Sequence, residues 1–174
     1  MYSASIWPVY QALGRGQIEP ITVPAFNVRG LVYSLGRIIW RTAIDLHAGP
    51  FMFELAPSEA AACDQTFEEY AALVLASAAR EGYRGPVFLQ GDHFSVESPD
   101  ALPGVLELAR QVIQSGFYQI DIDASHLFDP SCDDLSGFHR PNAQATAHLI
   151  TELRASYPDF SLTLGGDSLP IEYW

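Results

Sequence analysis

Residues 117 to 123 read FYQIDID. The stretch alternates with the period of a β-strand: Ile120 and Ile122 project to one side, and Gln119, Asp121 and Asp123 to the other. Outward from it, four more short strands can be read: ITVPAF at 21–26, Phe51 to Leu55, VFLQ within 86–90, and Phe160 to Leu164. Helical patterns separate them, and strands alternating with helices of ten or more residues imply a parallel sheet. Two architectures use such a sheet. A central strand of a doubly wound sheet is covered by helices on both faces and reads apolar throughout. A barrel strand meets helices on one side only. Its other side faces the barrel interior, where polar groups near the carboxyl end form a site. The polar side of FYQIDID selects the barrel. A complete (β/α)8 barrel takes about 250 residues. The 174 residues here predict one α/β domain, 1–174, a partial (β/α)8 TIM barrel of about the first five β/α units, incomplete at its C-terminus.

The local signals agree with that order. ASIWPVYQALG at 4–14 reads as a short helix, closed by Gly14 and Gly16. Pro24 removes a ladder donor and so belongs near the end of its strand. Across 30–47, Leu31, Val32, Leu35, Ile38, Ile39, Ala43 and Leu46 fall on one apolar stripe, which is expected to face the core, and Gly49-Pro50 stops the helix. Thr66 and Glu69 form a capping-box pattern ahead of Phe67, Tyr70, Ala71, Val74, Leu75 and Ala78. Leu102 to Gln114 is amphipathic, 129–140 is a polar linker, and Pro141-Asn142 opens a last helix with Leu149, Ile150 and Leu153 inward.

Composition narrows the function classes. Lys and Arg number 9 against 21 Asp and Glu, a net charge of −12, which repels nucleic acid and anionic membranes; neither is expected as a partner. Such a surface also suits a protein that holds a cation. Cys63 and Cys132 are too few for a disulfide scaffold and stand in no metal-type spacing. The opening MYSASIWPVY has no basic n-region and no long apolar run, so neither a signal peptide nor a membrane span is expected, and a cytoplasmic location is the default.

The candidate chemistry sits in GPVFLQGDHFS, 85–95, where an apolar strand is read as ending at Gly91 and presenting Asp92 and His93 side by side. On residue type alone the pair is either a strand-end cap with a surface histidine or an acid beside a metal-binding imidazole. His126 and His139 lie in the loop after FYQIDID, and His47 and His148 fall on predicted helices.

Five segments carry a family resemblance: VPAFNVRG at 23–30, PFMFELAPSE at 50–59, GPVFLQGDHF at 85–94, GFYQIDIDASHL at 116–127 and LTLGG at 162–166. In that order and spacing the chain resembles the N-terminal portion of a class II, metal-dependent fructose-bisphosphate aldolase or a close relative in that superfamily. The resemblance implies aldol cleavage or condensation of a ketose bisphosphate such as fructose 1,6-bisphosphate, with a divalent metal, zinc foremost, as cofactor. It implies Asp92 as general acid/base and His93 as a metal ligand, with Asp167 and Asp123 as further candidates for the metal. Asn27, Ser58 and Ser125 match positions that contact substrate in the family, the serine after the second strand contacting phosphate. It also implies a homo-oligomer for the full-length form. After LTLGG the chain reads DSLPIEYW, where relatives carry a Glu in a Gly-rich segment, and Asp167 stands at the position of that Glu. The family's other metal histidines and its phosphate loops come from later strands. The chain therefore reads as truncated, and catalysis by it alone is not expected. A non-catalytic partial-barrel module and a different sugar-phosphate-binding TIM-barrel enzyme stay open as alternatives.

Overall fold

The computed structural model describes residues 2–165. A two-residue strand, β1 (Tyr2–Ser3), leads into helix α1 (Trp7–Gly14). Then come β2 (Ala25–Asn27), α2 (Val32–Asp45), β3 (Met52–Leu55), α3 (Pro57–Ala62), α4 (Phe67–Arg80) and β4 (Pro86–Ser95). A single 3-10 turn (Pro99–Ala101) precedes α5 (Leu102–Gln114), followed by β5 (Gln119–Asp123), α6 (Leu135–Phe138), α7 (Arg140–Ser156) and β6 (Ser161–Gly165). Strands β2 to β6 form one parallel sheet in chain order, each paired with its sequence neighbour. This is an α/β fold of five parallel strands alternating with helices, compatible with part of a barrel-like arrangement.

Strand order that follows the chain has a consequence. Right-handed crossovers then put every helix on the same face of the sheet. The apolar alternates of the strands point there: Phe53, Leu55, Val87, Leu89, Ile120 and Ile122 share one core with Val74 and Ala78 of α4, Val112 and Ile113 of α5, and Leu149 and Leu153 of α7. The opposite face carries the other alternates. In register across it run Asn27, Glu54, Gln90, Gln119 and Ser161. The two-sided reading of FYQIDID holds in this sense, although all five residues of β5 are buried.

Several boundaries differ from the sequence reading, each for a physical reason. The first predicted strand shrinks to 25–27 and includes Asn27. Pro24 has no donor to give, and the ladder starts from its carbonyl, which accepts from Met52 N at 2.9 Å. The polar linker contains α6, opened by Asp134, whose carboxylate accepts from Gly137 N. Thr66 caps α4 as its pattern predicts, accepting from Glu69 N at 3.1 Å. β1 carries no readable signal in two residues. It pairs with the start of β4, and Ser3 Oγ donates to Gly116 O while Ser5 Oγ donates to Asp159 O. The N-terminal segment thus covers the amino ends of β4, β5 and β6.

The apolar stripe of α2 is a correction. The helix buries Val32, Gly36 and Trp40, whereas Leu31, Leu35, Ile38 and Leu46 are exposed. The cause is the close approach of α2 to α4. A Cβ on Gly36 would stand 2.6 Å from Ser77 Oγ, so the contact runs through small residues and turns the leucines away. Arg37 and Arg41 of α2 then reach Glu81, at 2.5 and 3.0 Å. Among the described residues no helix is long and apolar enough to cross a membrane.

Candidate functional site

Strand β4 does not end at Gly91. It continues to Ser95, and its pairing with β5 shifts between Gly91 and Phe94. Gly91 pairs with Ile120 and Phe94 with Ile122, so Asp92 and His93 together stand opposite Asp121 alone. That is a β-bulge, a device that re-aims side chains. His93 bears the strain of it, with φ at 51°. Gly91 is required below it, because a Cβ there would lie 2.7 Å from the Phe94 ring and 3.0 Å from Ile120.

The bulge sends the two residues different ways. The Asp92 side chain is 16% exposed on the polar face, and His93, 48% exposed, keeps Nε2 3.6 Å from Asp92 Oδ2. His93 also lines a cleft of about 470 Å³ with Pro57, Ser58, Ser95 and Glu97. Ser58, in the first turn of α3, therefore opens onto the same space as His93.

Two carboxylates missed by the sequence reading stand beside Asp92. Glu54 of β3 accepts from Gln90 Nε2 at 3.1 Å. Glu59 of α3 accepts from Asn27 Nδ2 at 3.1 and 2.9 Å and from Ala56 N at 3.0 Å, with Arg29 at 3.3 Å. Burial, and then the charges of Asp92 and Glu59, hold the Glu54 carboxyl above its ordinary range. Burial raises Asp92 likewise; His93 opposes the shift, and Asp121 and Glu59 add to it. Glu54 was legible in principle. It is the single acid in the apolar strand MFEL, on the side its alternation shares with Asn27 and Gln90.

The remaining candidates fall into place less directly. Asn27 is at the end of β2, but its amide nitrogen is committed to Glu59. Asp123 is 1% exposed and accepts from Ser125 N at 2.9 Å, the backbone-satisfying role open to such a residue. Ser125 is itself fully buried. Asp121 accepts from Thr163 Oγ1 at 2.6 Å on the polar face. Asp167 lies outside the described residues. Exposed His47, His126 and His148, and half-buried His139, do not join Asp92 and His93 in a metal-binding group.

A metal can be tested against these donors. A zinc centre takes three or four protein ligands, and among the described residues no three His, Cys, Asp or Glu side chains are grouped to hold a metal ion. His93 alone presents an imidazole beside Asp92. The described residues therefore do not assemble the expected centre. What they do assemble is a carboxyl held above its usual range, an imidazole beside it and a row of hydrogen-bond acceptors, a set suited to moving a proton to and from a hydroxyl group.

Compared with protein-family models, with curated proteins and with solved structures, the chain matches none.

Proposed function

We propose that the protein is an aldol-type carbon–carbon lyase acting on a ketose phosphate, built on a partial (β/α)8 barrel, with Asp92 as its general acid/base. The observation that supports this reading is the bulge in β4, which presents Asp92 and strained His93 together at the carboxyl ends of parallel strands. In the cleavage direction Asp92, ionised, takes the proton of the C4 hydroxyl. The C3–C4 bond breaks, its electron pair stays on C3 as an enediolate, C4 leaves as the aldehyde, and a proton from water on C3 completes the ketotriose. In condensation the same carboxyl returns the proton. Burial, with Asp121 and Glu59 nearby, favours the protonated form of Asp92 against the opposing His93, which suits a group that must both accept and release a proton. A divalent ion such as zinc, if held by His93 with ligands beyond those described, would stabilise the enediolate oxygen; no step above depends on it.

In place of the inactivity expected of the chain alone, this reading proposes a residual rate. General acid–base catalysis by itself contributes about 10²- to 10⁴-fold. With Asp92 in place and no metal counted on, the chain is predicted to cleave slowly, by about that factor above the uncatalysed rate. The assay is cleavage of fructose 1,6-bisphosphate with zinc supplied. Loss of the residual rate in Asp92→Ala supports the reading, and an unchanged rate in that variant sinks it. The same reading puts the protein in the cytoplasm, where sugar phosphates are found and Cys63 and Cys132 stay reduced.

A further inference from the structure

The lyase reading uses Asp92 and His93 and leaves the rest of the polar face without a task. Glu54, Gln90 and Gln119 follow one another in register on β3, β4 and β5, with Asn27 before them and Ser161 after. Three donors of this face are engaged, while Gln119 Nε2 and Ser161 Oγ are not. Asn27 Nδ2 gives its hydrogens to Glu59, Gln90 Nε2 binds Glu54, and Thr163 Oγ1 binds Asp121. Acceptors are left over, on Glu54, Glu59, Asp92 and Asp121. The cations beside them are Arg29, against Glu59, and His93 when protonated, beside Asp92.

We propose that Glu54 is a hydroxyl-binding residue, and that this face takes the uncharged, polyhydroxylated part of a sugar or polyol and excludes its phosphate. The proposal rests on the lyase reading only in placing a ligand at these strand ends. An ionised carboxylate accepts hydrogen bonds and donates none. A hydroxyl answers it with a donor, whereas a phosphate brings more acceptors and like charge. An independent sign comes from Gln119. It is 1% exposed, yet neither its Oε1 nor its Nε2 has a partner, and Ser161 Oγ beside it is also unpaired. Buried polar groups of this kind cost free energy until satisfied. A hydroxyl both donates and accepts, so it can satisfy an amide directly or through one water.

The test is protein NMR on the whole chain, following the side-chain amide signals of Asn27, Gln90 and Gln119. The probes are D-fructose, inorganic phosphate and fructose 1,6-bisphosphate. Fructose is expected to shift these signals, phosphate alone to leave them in place, and the bisphosphate to shift the same signals as fructose. Glu54→Gln, judged folded by its spectrum, is expected to weaken fructose about tenfold, the loss of one charge-assisted hydrogen bond. Shifts by phosphate alone, no shift by fructose up to its solubility, or unchanged fructose affinity in Glu54→Gln would each overturn the proposal. The wild-type comparison of fructose with phosphate decides the matter if the variant does not fold. Fructose shifts without cleavage activity count against the lyase reading only.

Discussion

At Glu54 two costs meet: the carboxylate is partly buried, and it faces Asp92 and Glu59. A carboxyl whose folded pKa is raised binds its proton more readily in the folded chain than in the unfolded one. Its effect on stability is therefore favourable as pH falls through the window above the ordinary carboxyl range, and unfavourable as pH rises out of it. Glu54→Gln is predicted to raise the melting temperature at neutral pH, with the gain shrinking toward about pH 4. Melts across that range check it, and a gain that grows on acidification contradicts it. Gly91 carries a different constraint. Ala there must push into Phe94 and Ile120, at a predicted cost of about 1–3 kcal/mol by chemical denaturation. The sequence showed that Asp92 and His93 are chemically interesting and adjacent. It did not show the bulge, because nothing local distinguishes a strand that stops at Gly91 from one that continues with an extra residue. Nor did it single out Glu54, whose relevance depends on which residue of the next strand it meets.

Elements were more legible than their faces. Every helix read from periodicity exists within a few residues, and within FYQIDID Ile120 and Ile122 join the core while Asp121 bonds Thr163, although the whole strand is buried. Helix α2 is the exception in orientation. Its seven-residue stripe is a true apolar pattern, but small residues at Gly36 and Ser77 decide which side meets α4. Periodicity ranks hydrophobicity and is blind to how closely two backbones can approach. The same pair of helices is clamped by Glu81, which Arg41 and then Arg37 hold down to a pKa of about 2. A depressed carboxyl contributes stability above its unfolded pKa and loses it as pH falls through the folded value. Glu81→Gln is predicted to lower the melting temperature at neutral pH, the deficit closing as the pH falls toward about 2, with added salt reducing it as well. Equal deficits at every pH would contradict this account of the clamp.

On the scale of the molecule, chain-order parallel pairing puts the helices on one face and the acceptor-rich row on the other. It also leaves the outer edges of β2 and β6 without a strand among the described residues. Exposed apolar side chains lie at those edges: Phe26, Ile38 and Leu46 line one cleft beside β2, and Leu164 is on β6. Unpaired edges flanked by apolar surface favour association. Light scattering is predicted to show the purified chain as an oligomer at concentrations where a compact 19.1 kDa protein would be monomeric, and a monodisperse monomer would contradict this. The sheet order follows from the strand–helix alternation in the sequence. The composition of the site does not, since it depends on registers between residues up to 42 apart, as for Asp121 and Thr163.

The central claim is that Asp92, set in the bulge of β4, moves the proton in an aldol-type cleavage. Its most direct test is the rate of triose formation from fructose 1,6-bisphosphate, with zinc supplied, for the wild-type chain and for Asp92→Ala. The account predicts slow wild-type cleavage that falls to the uncatalysed rate in the variant, a loss of about 10²-fold or more. Cleavage absent from the wild-type chain, or equal in Asp92→Ala, would contradict it.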